Sequence, residues 1–505
     1  MKTAIKFLLL AASFSLIFFT RWLEHHFGSD FTFEQFLFHV MAGTRGLSKG
    51  LIGKEREFVY TFMAYEVLIP VVLALCFLIL FSLYARKHSK NSASVARPRQ
   101  GRYSTLSRLS FLHPKNLTLY LLIFLLSIIY FLFSVRAVDY VSSVLGKDKI
   151  TALYVKPTEF ELVNTVVKKN VPNLLLIYVE SLESGFRNKK VYGRNLVAAI
   201  DELPGQSIQN FPHVPGAGWT IAGMIASQCS IPVKLFYGNN LKGKQHVLPN
   251  LTCLGDVLHD FGYKQYFMTA AEVSFAGMDL FYQDHGYDYL FGITQYRERG
   301  LPESAFNGWF GALHDDTLLD EARNVVLEAE RVGAPYNVTV VTTDNHGPEG
   351  WPSGNCAISK SRRLEDTFTC NAGFVAKLIN ELKAQGALKN TVVVIMGDHR
   401  FMNTPAQNNL FPAPRNVYFK IIAPGNQFLP SRDTMTHFDV APTILSALGI
   451  SNKESPYFGL GISLDAKLNE STYSEHLNRA MDQGILNPSL LYDSFWLPNQ
   501  KKIIK

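Results

Sequence analysis

The sequence predicts an α/β protein in which N-terminal transmembrane helices precede a domain with a central, mainly parallel sheet flanked by helices. Two features of the 505-residue chain lead to this prediction. Three apolar runs fall near the N-terminus, and from residue 173 short apolar runs rich in β-branched residues alternate with longer helix-like stretches. Continuously apolar strands are typical of parallel sheets that are buried on both faces.

The membrane part is predicted to occupy residues 1–137, with three transmembrane helices at about 4–20, 66–85 and 117–136. The second and third runs approach the ~20 residues that cross a bilayer as a helix. The first run is shorter and follows a lysine-containing N-terminus, so a cleaved secretory signal is the alternative. We expect it to be retained, because no small-residue cleavage site follows it.

The loop between the second and third apolar runs sets the expected orientation. It carries eight basic residues and no acidic residue, and a short loop of this kind stays in the cytoplasm. This predicts a membrane protein whose residues from about 138 onward lie on the extracytoplasmic side. The formal net charge is +7, so the rest of the chain is close to neutral and no nucleic-acid partner is expected. The eight residues are Arg86, Lys87, Lys90, Arg97, Arg99, Arg102, Arg108 and Lys115.

Residues 138–172 are predicted as a linker and residues 173–505 as the catalytic domain. Four apolar runs of strand length and two helix-like stretches support the α/β prediction for this domain. The predicted strands are Asn173–Val179, Asn337–Thr343, Thr391–Met396 and Val417–Ala423, and the predicted helices are Thr317–Val332 and Asp366–Gln385.

Polar side chains follow three of these predicted strands directly. Ligands of open α/β sheets bind beyond the carboxyl ends of the strands, so we expect these side chains to share one site. Carboxylate oxygens combined with an imidazole nitrogen suit zinc or manganese. The alternative is that the aspartate caps a helix and the histidine packs in its loop. The residues are Glu180 after the first strand, Asp344, Asn345 and His346 after the second, and Asp398 and His399 after the third.

Thr220 is the candidate nucleophile. A flexible segment with Gly216 and Gly218 precedes it. A stretch rich in small residues, Ile221–Gln228, follows it and is predicted to be helical. A threonine at a helix start is most often only a cap. A helix N-terminus also favours negative charge and binds phosphate, and a metal-bound Thr oxygen there could ionise and attack phosphorus.

Four of the five cysteines fall in the predicted extracytoplasmic part. An even number of cysteines in an oxidising compartment predicts two disulfides. Three pairings are open, and we expect the sequence-local one, in which Cys229 pairs with Cys253 and Cys356 with Cys370.

Five segments of the chain together form a specific set of motifs. They are VESLESG from Val179, GWTIAGMIASQCSIP from Gly218, TTDNHGPEG from Thr342, GDHRFMNT from Gly397 and HFDVAPTILSALG from His437. Over roughly residues 170–465 the chain resembles membrane phosphoglycerol transferases, the family that includes phosphoglycerol transferase I and, more distantly, lipoteichoic acid synthase. This family belongs to the alkaline phosphatase superfamily, so the resemblance implies a sulfatase-like catalytic domain, in a bacterial inner-membrane protein with this domain on the periplasmic side.

The resemblance implies a role for each matching residue. It implies transfer of phosphoglycerol from a lipid, expected to be phosphatidylglycerol, to a glycan acceptor with Thr220 as nucleophile. His346 would hold the phosphate or protonate the leaving oxygen, and His437 would lie near the phosphate. Trp309, in FNGWFGALHDDTLLD, and the adjacent pair Asp315 and Asp316 are candidates for a substrate role. The implied ligands of a divalent metal, expected to be Mn²⁺ with Zn²⁺ or Mg²⁺ as alternatives, are Glu180, Thr220, Asp398 and His399.

Other activities on the same fold remain as alternatives. A sulfatase needs Cys or Ser in a C/S-x-P-x-R pattern, and residues 220–224 read TIAGM. The Trp and Arg that lipoteichoic acid synthase uses for glycerophosphate are not kept in the corresponding stretch Ser274–Met278. A phosphoethanolamine transferase is the alternative enzyme, and a catalytically inactive, membrane-tethered binding module is the alternative of another class. The acceptor and the oligomeric state stay open.

Overall fold

A computed structural model of the chain forms two compact units, one with the described residues up to 138 and the other with those from 141 onward. The residues that the structure describes are 2–27, 68–77, 79, 117–138, 141, 149–157, 160–162, 171–234, 245–360, 363–402, 411, 414–426, 428–452, 455–487 and 489–497.

The first unit contains two long helices, α1 (Lys2–Phe27) and α2 (Leu117–Ser134). They pack against each other and against a helical stretch at 69–77, with Leu10, Ala74 and Tyr120 buried between them. Among the described residues, α2 is the helix that is long and apolar enough to cross a bilayer. The second predicted span, at about 66–85, lies partly outside the described residues, so three crossings stay a prediction.

The second unit is built on a seven-stranded sheet with the strand order β3-β8-β7-β2-β6-β4-β5. Strands β7, β2, β6, β4 and β5 are mutually parallel, whereas β8 and β3 are antiparallel to their neighbours. The predicted fold class, a mainly parallel sheet flanked by helices, is confirmed. The strands are β2 (Asn173–Val179), β3 (Gln206–Ile208), β4 (Lys264–Thr269), β5 (Tyr289–Phe291), β6 (Tyr336–Val341), β7 (Thr391–Gly397) and β8 (Phe419–Ile422).

The central strand β2 shows why the predicted strands lack an alternation of apolar and polar residues. Its odd and even side chains enter two separate cores, with Leu174 in one cluster and Leu175 in the other, and every residue is buried.

Helices cover both faces of the seven-stranded sheet. They are α3 (Ile150–Leu153), α4 (Lys189–Tyr192), α5 (Ala198–Asp201), α6 (Thr220–Cys229), α7 (Leu254–Asp260), α8 (Met278–Asp284), α9 (Ile293–Glu298), α10 (Asp315–Val332), α11 (Arg363–Ala384), α12 (Val440–Ala447), α13 (Glu470–Ala480) and α14 (Leu490–Ser494).

Four short strands form two antiparallel pairs outside the main sheet. Part of the predicted linker is folded into the second unit, because β1 (Phe160–Leu162) pairs with β9 (Ile450–Asn452) in an antiparallel pair. The remaining pair is β10 (Tyr457–Phe458) with β11 (Gly461–Ile462).

The sequence analysis missed β3, β4 and β5. Strand β4 reads KQYFMT, and its polar start hides the apolar pattern. Gln265 is nevertheless fully buried, because its amide donates to the carbonyls of Gly255 and Gly286. The strand at Val417–Ala423 was predicted correctly in position, but it runs antiparallel to β7.

Candidate active site

Adjacent parallel strands bring the first two candidate ligands together. In the β2–β7 pair Val179 lies opposite Gly397, so Glu180 and Asp398 leave the sheet side by side. The backbone N–H of Ser181 donates to Asp398 Oδ1 at 2.8 Å, and Ser181 Oγ donates to Glu180 Oε1 at 2.5 Å. Both carboxylates are buried and fixed at the carboxyl edge of the sheet.

His399 completes a cluster with these two carboxylates. Its Nε2 lies 3.6 Å from Glu180 Oε1 and 3.3 Å from Asp398 Oδ2. Its Nδ1–H donates to the Arg400 carbonyl at 2.7 Å, so in the neutral ring Nε2 carries the free lone pair. One ligand atom from each residue lies within 4.8 Å of the others.

The cluster fits a divalent cation. Asp398 Oδ2 and His399 Nε2 are buried without a hydrogen-bond partner in the part of the chain that the structure describes. Burial and the neighbouring Glu180 raise the pKa of Asp398 to about 6, and burial also raises the pKa of Glu180. A cation among these groups would relieve the repulsion between the carboxylates and accept the unused lone pairs.

Thr220 reaches the same cluster from the start of α6. Trp219 occupies the N-cap position, and Thr220 is the first helical residue, so its hydroxyl does not serve as the cap. Thr220 Oγ1 donates instead to Glu180 Oε2 at 3.5 Å, and the side chain is half-buried. The unpaired N–H groups of the first helical turn make this position favourable for an anionic phosphoryl group.

His346 lies on the segment that follows β6. Its ring stacks on Trp309 with 4.3 Å between ring centroids and 23° between the planes. Burial, together with the charge of His399, lowers the pKa of His346 to about 4, although the hydrogen bond to Gly347 and the charge of Asp398 oppose this. The ring is therefore neutral near neutral pH. Its Nδ1–H donates to the Gly347 carbonyl at 3.2 Å, which leaves Nε2 as a proton acceptor.

His437 is completely buried behind the candidate ligands. Its Nε2–H donates to the main-chain carbonyl of Asp398 at 2.9 Å, and burial lowers its pKa to about 4. This contact makes His437 a support for the Asp398 backbone. Its predicted role near the phosphate stays a prediction.

Two residues that the sequence analysis missed hold the segment after His399. Arg415 forms a buried ion pair with Glu183 and also donates to the Phe401 carbonyl. The other donor to Glu183 is the Phe401 backbone, at 2.9 Å. Glu183 lies in the VESLESG segment, but its partner is 232 residues away and no local pattern predicts that pairing.

Asp315, a candidate for substrate contact, is buried and forms hydrogen bonds within the protein. It is fully buried and accepts hydrogen bonds from the backbone of Thr343 and Asp344. Asp344 in turn accepts from the Asp315 backbone at 3.0 Å and pairs with His314. These contacts fix the segment that leads into His346.

Four cysteines of the second unit form the disulfides Cys229–Cys253 and Cys356–Cys370, which is the sequence-local pairing. The first disulfide ties the end of α6 to the start of α7. His285 lies beside it, with Nε2 3.7 Å from Cys253 Sγ. Because both sulfurs are bonded to each other, they are not available there as thiolate ligands.

Comparison with known proteins gives the same architecture. The sequence matches the sulfatase family over residues 172–450, more than half of the chain. Phosphoglycerol transferase I from Citrobacter koseri is 34% identical over 313 residues, which cover 58% of this chain and 40% of that protein. Phosphoglycerol transferase I from Salmonella typhi is 35% identical over 305 residues, covering 58% and 38%. The chain thus spans about two fifths of the length of these relatives.

Two solved structures have a similar fold. A protein of the alkaline phosphatase superfamily from Vibrio parahaemolyticus has a TM-score of 0.51 and 20% identity, covering 66% of this chain and 78% of that chain. Lipoteichoic acid synthase from Listeria monocytogenes has a TM-score of 0.50 and 16% identity, covering 67% and 100%. At these identities the comparison supports the fold. The predicted resemblance to phosphoglycerol transferases of this superfamily is confirmed.

Proposed function

Because the chain belongs to the sulfatase family, we propose that it is a membrane-bound phosphoglycerol transferase in which Thr220 attacks phosphorus. The observation that carries the proposal is the contact of the Thr220 hydroxyl with Glu180 in a cluster that also holds Asp398 and His399. Sulfate ester hydrolysis is disfavoured, because residues 220–224 lack the C/S-x-P-x-R pattern.

Members of this superfamily bind a divalent metal, and four residues of this chain supply suitable ligands. We expect Mn²⁺, because three oxygen ligands and one nitrogen ligand suit it, with Zn²⁺ and Mg²⁺ as alternatives. When bound, the cation would lower the pKa of the Thr hydroxyl and neutralise charge on the phosphoryl oxygens. The ligands would be Glu180, Thr220, Asp398 and His399.

In the first step the Thr220 oxygen attacks the phosphodiester of phosphatidylglycerol and diacylglycerol leaves. The first turn of α6 directs N–H groups at the phosphoryl oxygens. The neutral His346 ring takes up the proton that the Thr220 hydroxyl loses and gives it to the departing oxygen, so the ring returns to the neutral form. The product of this step is a phosphoglycerol ester of Thr220.

In the second step a hydroxyl of a glycan attacks that ester. The neutral His346 ring, with Nδ1–H held by the Gly347 carbonyl, takes the hydroxyl proton at Nε2. The Thr220–phosphorus bond breaks, His346 gives this proton to the Thr220 oxygen, and the phosphoglycerol group passes to the glycan. Trp309 stacks against His346 and fixes the plane of its ring.

The membrane part of the chain supports both the proposed lipid donor and the proposed location. The apolar helix α2 and the basic loop before it support an inner-membrane protein with this domain on the periplasmic side. Tethering the site near the lipid surface raises the effective concentration of the donor. The competing activity is transfer of phosphoethanolamine, which would use the same nucleophile and the same cluster.

The test is diacylglycerol release by the full-length protein in nanodiscs that contain either phosphatidylglycerol or phosphatidylethanolamine. The native protein should release diacylglycerol from phosphatidylglycerol, Thr220→Ala should lose at least ~1,000-fold of this activity, and Thr220→Ser should retain part of it. Release from phosphatidylethanolamine alone would favour the competing activity. Unchanged release by Thr220→Ala would exclude Thr220 as nucleophile.

A further inference from the structure

We propose that four aromatic side chains beside His346 form a subsite for the sugar ring of the acceptor. We call the group the aromatic platform: Phe275, Trp309, Phe310 and Trp351. The inference rests on the proposed function, because it assigns the acceptor of that reaction to this surface.

Ring contacts connect the aromatic platform to the proposed catalytic histidine. Trp309 stacks on His346 and meets the edge of Phe275 at 5.4 Å and the ring of Phe310 at 5.2 Å. Phe310 in turn contacts Trp351, with 6.0 Å between centroids. All four rings are half-buried, so each combines packing against its neighbours with a surface open to a ligand.

Asp344 joins two of the three chain segments that carry these rings. The backbone N–H of Trp351 donates to the Asp344 carbonyl at 2.6 Å. Gly308 lies so close to the Asp344 side chain that a Cβ at position 308 would be 2.9 Å from Oδ1. Trp309 and Trp351 are therefore held at fixed positions relative to the end of β6.

The segment with Trp351 has a second anchor. Asp316 accepts hydrogen bonds from Ser353 Oγ and Asn355 Nδ2, each at 2.7 Å. The disulfide Cys356–Cys370 ties the end of the segment to α11. A surface that is rigid before binding loses less entropy when a ligand binds.

Backbone strain is also concentrated in the aromatic platform. Phe310 has φ of 48° and Ala276, next to Phe275, has φ of 52°. Such conformations are unfavourable for residues with a side chain and persist where the surrounding structure imposes them, often at binding sites. The strained positions lie on the two segments whose rings contact Trp309.

The charge of these segments favours a neutral ligand over an anionic headgroup. Residues 272–279, 303–312 and 349–357 contain four acidic residues and no lysine or arginine. A pyranose ring has a flat face of C–H groups, and large aromatic rings offer contact area to it at low entropic cost. The neighbouring amide of Asn355 and the exposed Asn307 can bond sugar hydroxyls at the rim.

The aromatic platform lies next to His346, because Trp309 stacks on the His346 ring. A sugar on the aromatic platform lies beside the residue that takes the proton from the attacking hydroxyl in the second step. The proposed first step assigns roles to Thr220 and His346 and none to Trp351. Loss of the Trp351 ring is therefore expected to weaken acceptor use and to leave donor cleavage unchanged.

The experiment uses full-length protein in nanodiscs with Trp351→Ala, Trp351→Phe and the control Tyr289→Ala, an exposed aromatic residue on β5. Diacylglycerol release without acceptor and transfer to a β-glucan oligosaccharide are measured separately. Trp351→Ala should raise the KM for the oligosaccharide about tenfold or more, with release unchanged. Trp351→Phe should lie between this variant and the native protein, and Tyr289→Ala should match the native protein.

Three results would overturn the proposal: an unchanged oligosaccharide KM, an equal loss of donor cleavage, or a raised KM for a lipid with an ammonium headgroup instead of the sugar. Oligosaccharide binding is also measured by saturation-transfer NMR on Thr220→Ala protein, which does not turn over. If the native protein cleaves no phosphatidylglycerol but this binding depends on Trp351, the proposed function fails and the subsite stands. If cleavage occurs and Trp351→Ala binds the sugar normally, the subsite fails alone.

Discussion

Gly223, in the first turn of α6, lies against the main-chain carbonyl of Asp398, and a Cβ atom at position 223 would approach that oxygen to 2.0 Å. The contact is between two backbones, so neither side can yield by rotating a side chain. It brings the helix that begins at Thr220 close to the strand end that carries Asp398 and His399. The distance between the proposed nucleophile and the proposed metal ligands thus depends on a position without a side chain.

Gly223→Ala is expected to displace the start of α6 and reduce transfer activity by about 100-fold, because small misplacements at a reacting centre have effects of this size. The measurement is kcat for diacylglycerol release. The matched control is Gly373→Ala, since Gly373 lies within α11 and nothing lies within 4 Å of an added Cβ. The control should keep its activity, and an equally active Gly223→Ala protein would remove the proposed dependence.

Removal of the metal is expected to abolish activity and lower the thermal midpoint, because a cation that binds only the folded chain stabilises it. Metal analysis should find about one divalent ion per chain in the native protein. His399→Ala should lose that ion, while His259→Ala, at an exposed histidine, should retain it. Full activity after exhaustive chelation would contradict the role of the cluster.

His437 is expected to act by holding the Asp398 backbone. His437→Ala removes the donor to the Asp398 carbonyl and should lower metal affinity by about 10–100-fold, as loss of a group that supports metal ligands does. His437→Gln can still donate from its amide and should restore part of the affinity. If both variants bind the metal as tightly as the native protein does, His437 does not act through the Asp398 backbone, and a direct role at the phosphate is favoured.

Asp316→Asn tests the anchoring of the Trp351 segment through its dependence on pH. Burial alone would raise the pKa of Asp316, but hydrogen bonds from Ser353 and Asn355 outweigh it and hold the pKa below its usual value. A lowered pKa in the folded state stabilises the protein above the unfolded pKa of about 3.9, and this contribution is lost as pH falls through the folded pKa.

The variant should therefore unfold at a lower temperature than the native protein near neutral pH, by an amount equivalent to roughly 1–3 kcal/mol. The difference between their thermal midpoints should shrink as the solution is acidified below about pH 4. Asp260→Asn, at an exposed position, should show no difference at either pH. A difference that persists in acid would mean that the carboxylate charge does not anchor the segment.

The fold was largely predictable because strands of a buried parallel sheet appear in the sequence as continuous runs of apolar residues. Asn173–Val179 agrees with β2 in both bounds, and the run from Thr391 agrees with β7 to within one residue. Strand β4 was missed because it contains a buried polar residue, Gln265, whose hydrogen-bond partners lie outside the strand and are not visible in an apolar pattern. Strand direction at Phe419–Ile422 depends on the path of the chain before it, which composition does not record.

The site was predictable only as a set of residue types. Glu180, Asp398 and His399 follow strands that the sequence indicates, and the structure brings them together with Thr220. Their roles stay predictions. The stack of His346 on Trp309 and the support of Asp398 by His437 join segments far apart in the chain, and no local pattern encodes them.

The central claim is that the Thr220 oxygen becomes covalently bound to phosphorus. The most direct measurement is mass spectrometry of the Thr220 peptide after incubation of the full-length protein with headgroup-labelled phosphatidylglycerol in the absence of glycan. The account predicts that Thr220 gains glycerophosphate and loses it when a glucan oligosaccharide is added. An unmodified Thr220 peptide in protein that still transfers the label to the oligosaccharide would contradict it.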